Sequence, residues 1–103
     1  MQIEFRIRHL RDLFEQGKSR KYSLPQQVIR RYIQVVEICQ NAGDIYDLWR
    51  MPSLKFEKLQ GSENRFSARL NRQWRLELEM SWVNREMTIA VILIAEISKH
   101  YGG

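Results

Sequence analysis

The sequence predicts an α+β fold in which two helices from the N-terminal half pack on an antiparallel sheet of about four strands. Three observations predict it. Apolar residues recur at three-to-four-residue spacing in "RHLRDLFEQG" and again between Ser23 and "NAG" at 41–43. Strict alternation runs through "IEFRI", "RFSARL" and "QWRLELEM". One late segment, "EMTIAVILIAEI", is apolar on both faces, as a central strand covered on both sides would be. The element order is β-α-α-β-β-β, and 103 residues make one small domain, 1–103.

Each element has its own signals. In the first strand Ile3, Phe5 and Ile7 share one face while Glu4 and Arg6 take the other. The first helix carries Leu10, Leu13 and Phe14 and ends at Gly17; "KSRKY" is a basic connector. Ser23 opens the second helix: Ser23 and Gln26 have capping-box spacing, and Pro25 falls in the first turn. Val28, Tyr32, Val35 and Cys39 form its apolar stripe, with Arg30, Arg31, Gln34 and Glu37 mostly opposite. "DIYDLWRMPSLKFEKLQG" reads as a short helical turn, a proline-containing loop and an extended piece. In the next two strands Phe66, Ala68 and Leu70, then Trp74, Leu76, Leu78 and Met80, point to one side. Arg65, Ser67, Arg69, Arg75, Glu77 and Glu79 point to the other, with a tight turn at Asn71 and Arg72. A loop near 83–85 leads into the last strand, and the tail is "SKHYGG".

Composition narrows the function classes. Seventeen Lys and Arg against twelve Asp and Glu give a net charge of +5, which favours polyanions or an acidic protein as partners without choosing between them. The single cysteine, Cys39, allows no internal disulfide. A reduced, buried thiol fits a cytoplasmic protein, and the residue's place on the apolar stripe points to packing rather than catalysis. "MQIEFRIRH" has no apolar signal-peptide region, and the apolar run 87–97 is too short to span a bilayer, so no membrane role is expected. His9 and His100 are far apart with no cysteine at ligand spacing, so no metal is expected. Neither a phosphate-cradling glycine loop nor a nucleophile elbow occurs.

What remains is one polar sheet face and the tail. Arg65, Arg69, Arg72 and Arg75 fall within eleven residues. A guanidinium suits phosphate, because its planar fork donates two parallel hydrogen bonds and keeps its charge. Cross-strand pairing with Glu77, Glu79 or Glu96 would explain the same arginines, and spacing alone leaves the two readings level. In the tail, His100 and Tyr101 can transfer protons and Lys99 adds a cation; a solvated, frayed terminus is the alternative.

Four segments, "LFEQGKSRKY", "DLWRMPSLKFEKLQG", "RFSARLNRQWRLELE" and "EISKHYGG", resemble the RelE/ParE superfamily of toxins, of the HigB (plasmid-maintenance killer protein) type, in order and in spacing. The resemblance implies a RelE-like microbial ribonuclease fold and a type II toxin that cuts mRNA on the translating ribosome without a metal or other cofactor. It also implies a cognate antitoxin, HigA-like and of helix-turn-helix type. Arg75 matches the sheet arginine expected to hold the scissile phosphate, and Arg69 a nearby basic position. His100 and Tyr101 match the proton-transferring tail, where family members often read Asp-Tyr-His. Glu57 stands where many relatives have histidine, and Gln60 where they have lysine. A carboxylate can act as general base, so the catalytic set implied is Arg75, Glu57, His100 and Tyr101. Arg65, Arg69, Arg72, Lys99, Lys18, Arg20, Lys21, Arg30 and Arg31 are the RNA-contact set. Two rivals remain on the same residues: a ParE-like poison of DNA gyrase, and a non-catalytic RNA- or protein-binding module. Oligomeric state is not legible.

Overall fold

The computed structural model of the chain describes residues 1–99. β1 (Ile3–Phe5) leads into α1 (Arg8–Gln16), which Gly17 ends in the left-handed conformation at φ +74° with its amide on the Leu13 carbonyl. That backbone geometry is easy only for a residue without a Cβ. α2 (Gln26–Asn41) buries Val28, Ile29, Tyr32, Val35, Val36 and Cys39, the stripe expected from spacing. Tyr32 Oη donates to the Leu10 carbonyl at 2.7 Å and ties α2 to α1.

The expected capping box at Ser23 does not form. Pro25 is the N-cap, no side chain caps the helix, and the Pro25 carbonyl accepts from the Val28 and Ile29 amides. The proline explains the shift, since its ring drives the preceding residue out of the helical region and moves the first turn to Gln26.

α3 (Ile45–Trp49) is capped by the Asp44 carboxylate, which accepts from the Asp47 amide. A single 3-10 turn, Pro52–Leu54, follows, with Lys55 left-handed at φ +43°. The chain then enters β2 (Glu57–Lys58), β3 (Arg65–Arg69), β4 (Trp74–Trp82) and β5 (Ala90–Lys99). Between β3 and β4, Asn71 Oδ1 accepts from the amides of Gln73 and Trp74 and closes the turn.

The sheet order is β1-β5-β4-β3-β2. It has five strands rather than about four, because the extended piece after the proline turn pairs on the edge of β3. It is also mixed: β1 runs parallel to β5, with Ile3 opposite Ile92 and Phe5 opposite Ile94, while the other neighbours are antiparallel. A parallel pair needs a long crossover, and everything between these two strands supplies it. β5 is central, flanked by β1 and β4, and Ile92 and Ile94 are fully buried; Val91 and Leu93 on its other face are only half-buried, so the expected cover on both faces is not complete.

The connection before β5 is longer than expected, covering 83–89. Asn84 Oδ1 accepts from the amides of Thr88 and Ile89 and holds these residues out of the strand. Within the β4–β5 pair, Glu77 stands opposite Glu96 but Leu78 opposite Ile94, so Ala95 is an extra residue. Such a bulge re-aims the side chains beside it.

The core lies between the helices and one sheet face, where Leu76, Leu78, Met80, Ile92 and Ile94 meet Leu10, Leu13, Val28, Tyr32 and Val35. Each fully buried aliphatic side chain contributes about 1.5–3 kcal/mol. The opposite face carries the alternating polar residues.

Candidate active site on the polar face of the sheet

Arg75 is the second residue of β4, and alternation puts its side chain on the face away from the core. Its neighbours follow from register. Arg69 is directly opposite on β3, and Glu57 of β2 stands opposite Ser67. Arg75 Nε donates to Ser67 Oγ at 2.9 Å, and Nη2 donates to the Lys55 carbonyl at 2.7 Å. Glu57 Oε1 lies 3.6 Å from the same Nη2. The Arg75 side chain is only 11 % exposed, whereas that of Glu57 is 55 % exposed.

Local sequence explains the arrangement. The Lys55 amide returns to the Pro52 carbonyl, closing the 3-10 turn, and the left-handed Lys55 then swings the chain into β2. That turn places the Lys55 carbonyl on the guanidinium and Glu57 beside it. Ser67 is buried to 1 % exposure, so its hydroxyl is a fixed acceptor. A guanidinium held at two nitrogens by neutral acceptors has its plane set before any ligand arrives, which is the condition for electrostatic preorganisation. The separation from Glu57 exceeds an ordinary hydrogen bond, so the pair is an ionic contact at an exposed carboxylate.

The polar face divides into two halves. Toward Arg75 it is cationic. Among the described residues Arg69 makes no ion pair, Arg72 lies exposed in the turn, and Lys99 Nζ sits 5.6 Å from the centre of the Trp74 ring. Toward Arg65 it is neutralised. The Arg65 guanidinium lies 3.4 Å from Glu77, 3.7 Å from Glu96 and 3.9 Å from Glu79, and Arg6 also pairs with Glu79. For Arg65, cross-strand pairing is therefore the arrangement realised. The bulge at Ala95 keeps Glu96 level with Glu77 on this face.

The remaining expected residues are dispersed. Lys18, Arg20 and Lys21 are exposed on the connection between α1 and α2, and Arg30 is exposed on α2. Arg31 donates to Gln34 Oε1 and to Ser53. None of these five bonds to Arg75 or Glu57. His100 and Tyr101 lie outside the described residues. Cys39 is 1 % exposed, and burial pushes its thiol up to about 12, so its part is packing. Among the described residues no three His, Cys, Asp or Glu side chains gather as a metal site, and no helix is long and apolar enough to cross a membrane.

Sequence reasoning left out two groups that hold Arg75. Ser67 was detectable, because alternation puts it on the same face two residues from the position opposite Arg75. The Lys55 carbonyl was not, because a backbone acceptor leaves no trace in residue type.

No curated protein matched the chain. A family model did, described as a RelE-like toxin of the type II toxin–antitoxin system HigB, and it covers residues 3–91. That span includes Lys55, Glu57, Ser67, Arg69 and Arg75. The chain therefore belongs to the HigB-like toxins of type II toxin–antitoxin systems, a family that implies a cognate antitoxin as its partner.

Proposed function

We propose that this toxin is a metal-independent endoribonuclease that cuts mRNA on the translating ribosome, in the cytoplasm, and so halts protein synthesis. The observation that carries the reading is the held guanidinium of Arg75, fixed by Ser67 and the Lys55 carbonyl beside an exposed carboxylate. In this reading the ribose 2′-OH attacks the adjacent phosphate. A base removes the 2′ proton, Arg75 with Arg69 stabilises the added negative charge on the phosphorane, and an acid protonates the departing 5′ oxygen. Glu57 or His100 serves as base, and Tyr101 or His100 as acid. The exposed cations Arg72, Lys99, Lys18, Arg20, Lys21 and Arg30 contact RNA through its phosphates, as does Arg31. Arg65 would have to leave its three glutamates to join them. The whole chain acts as one domain, and a HigA-like helix-turn-helix antitoxin restrains it.

One observation favours a second reading, a non-catalytic RNA- or protein-binding module. Glu57, at the position where the resemblance implies histidine, pairs with Arg75 instead of leaving it open. The deciding experiment is expression with and without the antitoxin, followed by primer extension across translated messages. The nuclease reading expects new 5′ ends inside open reading frames and a fall in protein synthesis. Intact messages with normal synthesis at high soluble expression would overturn it. Intact messages with gyrase-dependent DNA cleavage would instead assign the toxin to DNA.

A further inference from the structure

A concavity of about 530 Å³ lies between α1 and the chain that follows it, lined by Arg8, His9, Asp12, Lys18, Ser19 and Arg20 among others. It is distinct from the Arg75 site and shares no residue with it. Three basic side chains, Arg8, Lys18 and Arg20, line it against one carboxylate, Asp12. Asp12 offsets only part of that charge, through a long contact of 3.8 Å with Arg8 Nε on an 82 % exposed side chain.

A histidine in the same concavity is held by a serine. His9 Nδ1 lies 3.3 Å from Ser19 Oγ, and Ser19 Oγ also accepts from the Lys21 amide at 3.2 Å. In the tautomer that carries its proton on Nε2, the Ser19 hydroxyl donates to Nδ1 and Nε2–H is left as a donor; this is the tautomer an anion in the concavity would select. A hollow with two guanidiniums, an ammonium and an imidazole N–H fits a tetrahedral oxyanion with several acceptor atoms.

We propose that this concavity is a phosphate-binding site, built by Arg8, His9, Lys18 and Arg20 and separate from the Arg75 site. The phosphate is either a backbone phosphodiester of RNA or the terminal phosphate of a nucleotide. β1 runs parallel to β5 and delivers α1 beyond Phe5, in the direction in which β5 carries Ser98 to its place opposite Arg75. The two sites thus lie toward the same end of the sheet, with α1 on its core face and Arg75 on the opposite face. The proposal rests on the ribonuclease reading only for which polymer would supply the phosphate.

The test is a set of NMR titrations of isotope-labelled protein, following the His9 ring and the Ser19 and Lys21 amides. Three probes are used: inorganic phosphate, a nucleoside 5′-monophosphate, and a six-nucleotide RNA without a terminal phosphate. Saturable shifts at these positions are expected with inorganic phosphate, and the Arg8→Ala/Arg20→Ala protein should bind at least about tenfold more weakly, as for loss of charged hydrogen bonds. Both residues are exposed, so the variant should fold, and an unchanged melting curve checks this. Shifts that follow the RNA identify a backbone site; shifts confined to the monophosphate identify a terminal-phosphate site. No saturable shift with any probe, or equal affinity in the double variant, would overturn the proposal. Arg75→Ala protein should retain the response, so failure of the nuclease reading and failure of this one are separable.

Discussion

Arg75 Nε donates to Ser67 Oγ diagonally across the β3–β4 pair at 2.9 Å, and this contact sets the plane of the candidate clamp. The register makes it possible, because Arg69 occupies the position directly opposite Arg75 and leaves Ser67 one step along the same face. The hydroxyl is buried, so water cannot take its place without cost.

That relationship predicts graded losses. Arg75→Ala should abolish toxicity with little change in melting temperature, since Leu76 and Trp74 keep their packing. Loss of a charged transition-state contact should cost about 3 kcal/mol, or about two orders of magnitude in cleavage rate. Ser67→Ala should lower the rate less, about tenfold, because the guanidinium remains but one of its anchors is gone. In the double variant the serine effect should vanish, as expected for a residue acting through another. Single-turnover cleavage on programmed ribosomes measures all three. Additive effects of the two substitutions would show that Ser67 does not act by positioning Arg75.

Much of this site was legible because alternation has a fixed period. Once β3 and β4 were recognised, Arg65, Ser67, Arg69, Arg75, Glu77 and Glu79 had to share a face. Family resemblance then singled out Arg75 and Glu57, and the short β2 brings those two within 3.6 Å. What alternation could not supply was long-range. The parallel seat of β1 beside β5 depends on contacts more than eighty residues apart in sequence. The bulge at Ala95 comes from pairing rather than residue type, and it decides that Glu96 joins Glu77 around Arg65. The failed cap at Ser23 had a local cause, the effect of Pro25 on its predecessor, and so could have been foreseen.

In the core, Tyr32→Phe should destabilise the fold. The Tyr32 hydroxyl is fully buried and donates to the Leu10 carbonyl, so its removal takes away a polar link from α2 to the first turn of α1. A loss of about 1–2 kcal/mol is expected from denaturant unfolding, with an unchanged m-value. No change in midpoint would mean that the carbonyl is satisfied without the tyrosine.

Alkaline pH should destabilise the protein. Burial raises the Cys39 thiol from 9.0 to about 12 and raises the Tyr32 phenol as well, with Tyr22 adding to the latter. Both groups are neutral in the fold and ionise first in the unfolded chain. The unfolded state therefore holds fewer protons above pH 9, and stability, complete below that value, falls as pH rises toward 12. The slope approaches about 1.4 kcal/mol per pH unit for each group that has ionised only in the unfolded state. Urea midpoints between pH 8 and 11 measure it, and Cys39→Ala should flatten the first part of the decline. The same burial predicts that iodoacetamide labels Cys39 only at the rate of unfolding.

The proton transfers give the last prediction. Glu57 is exposed and adjacent to Arg75, placed to accept a proton or simply to orient the guanidinium. At neutral pH a carboxylate is a weaker base than an imidazole, so a histidine that reaches the 2′-OH should dominate. His100→Gln is thus expected to lose the most cleavage, and Tyr101→Phe to lose activity if the phenol is the acid. Glu57→Gln keeps a side-chain oxygen near Arg75 and should cost little if the carboxylate only orients it. Rates on programmed ribosomes, with folding checked by thermal melts, separate the cases. A large loss confined to Glu57→Gln would transfer the base to the carboxylate. Parental rates in all three would place the chemistry outside Glu57 and the tail and leave Arg75 without a proton-transfer partner among these residues.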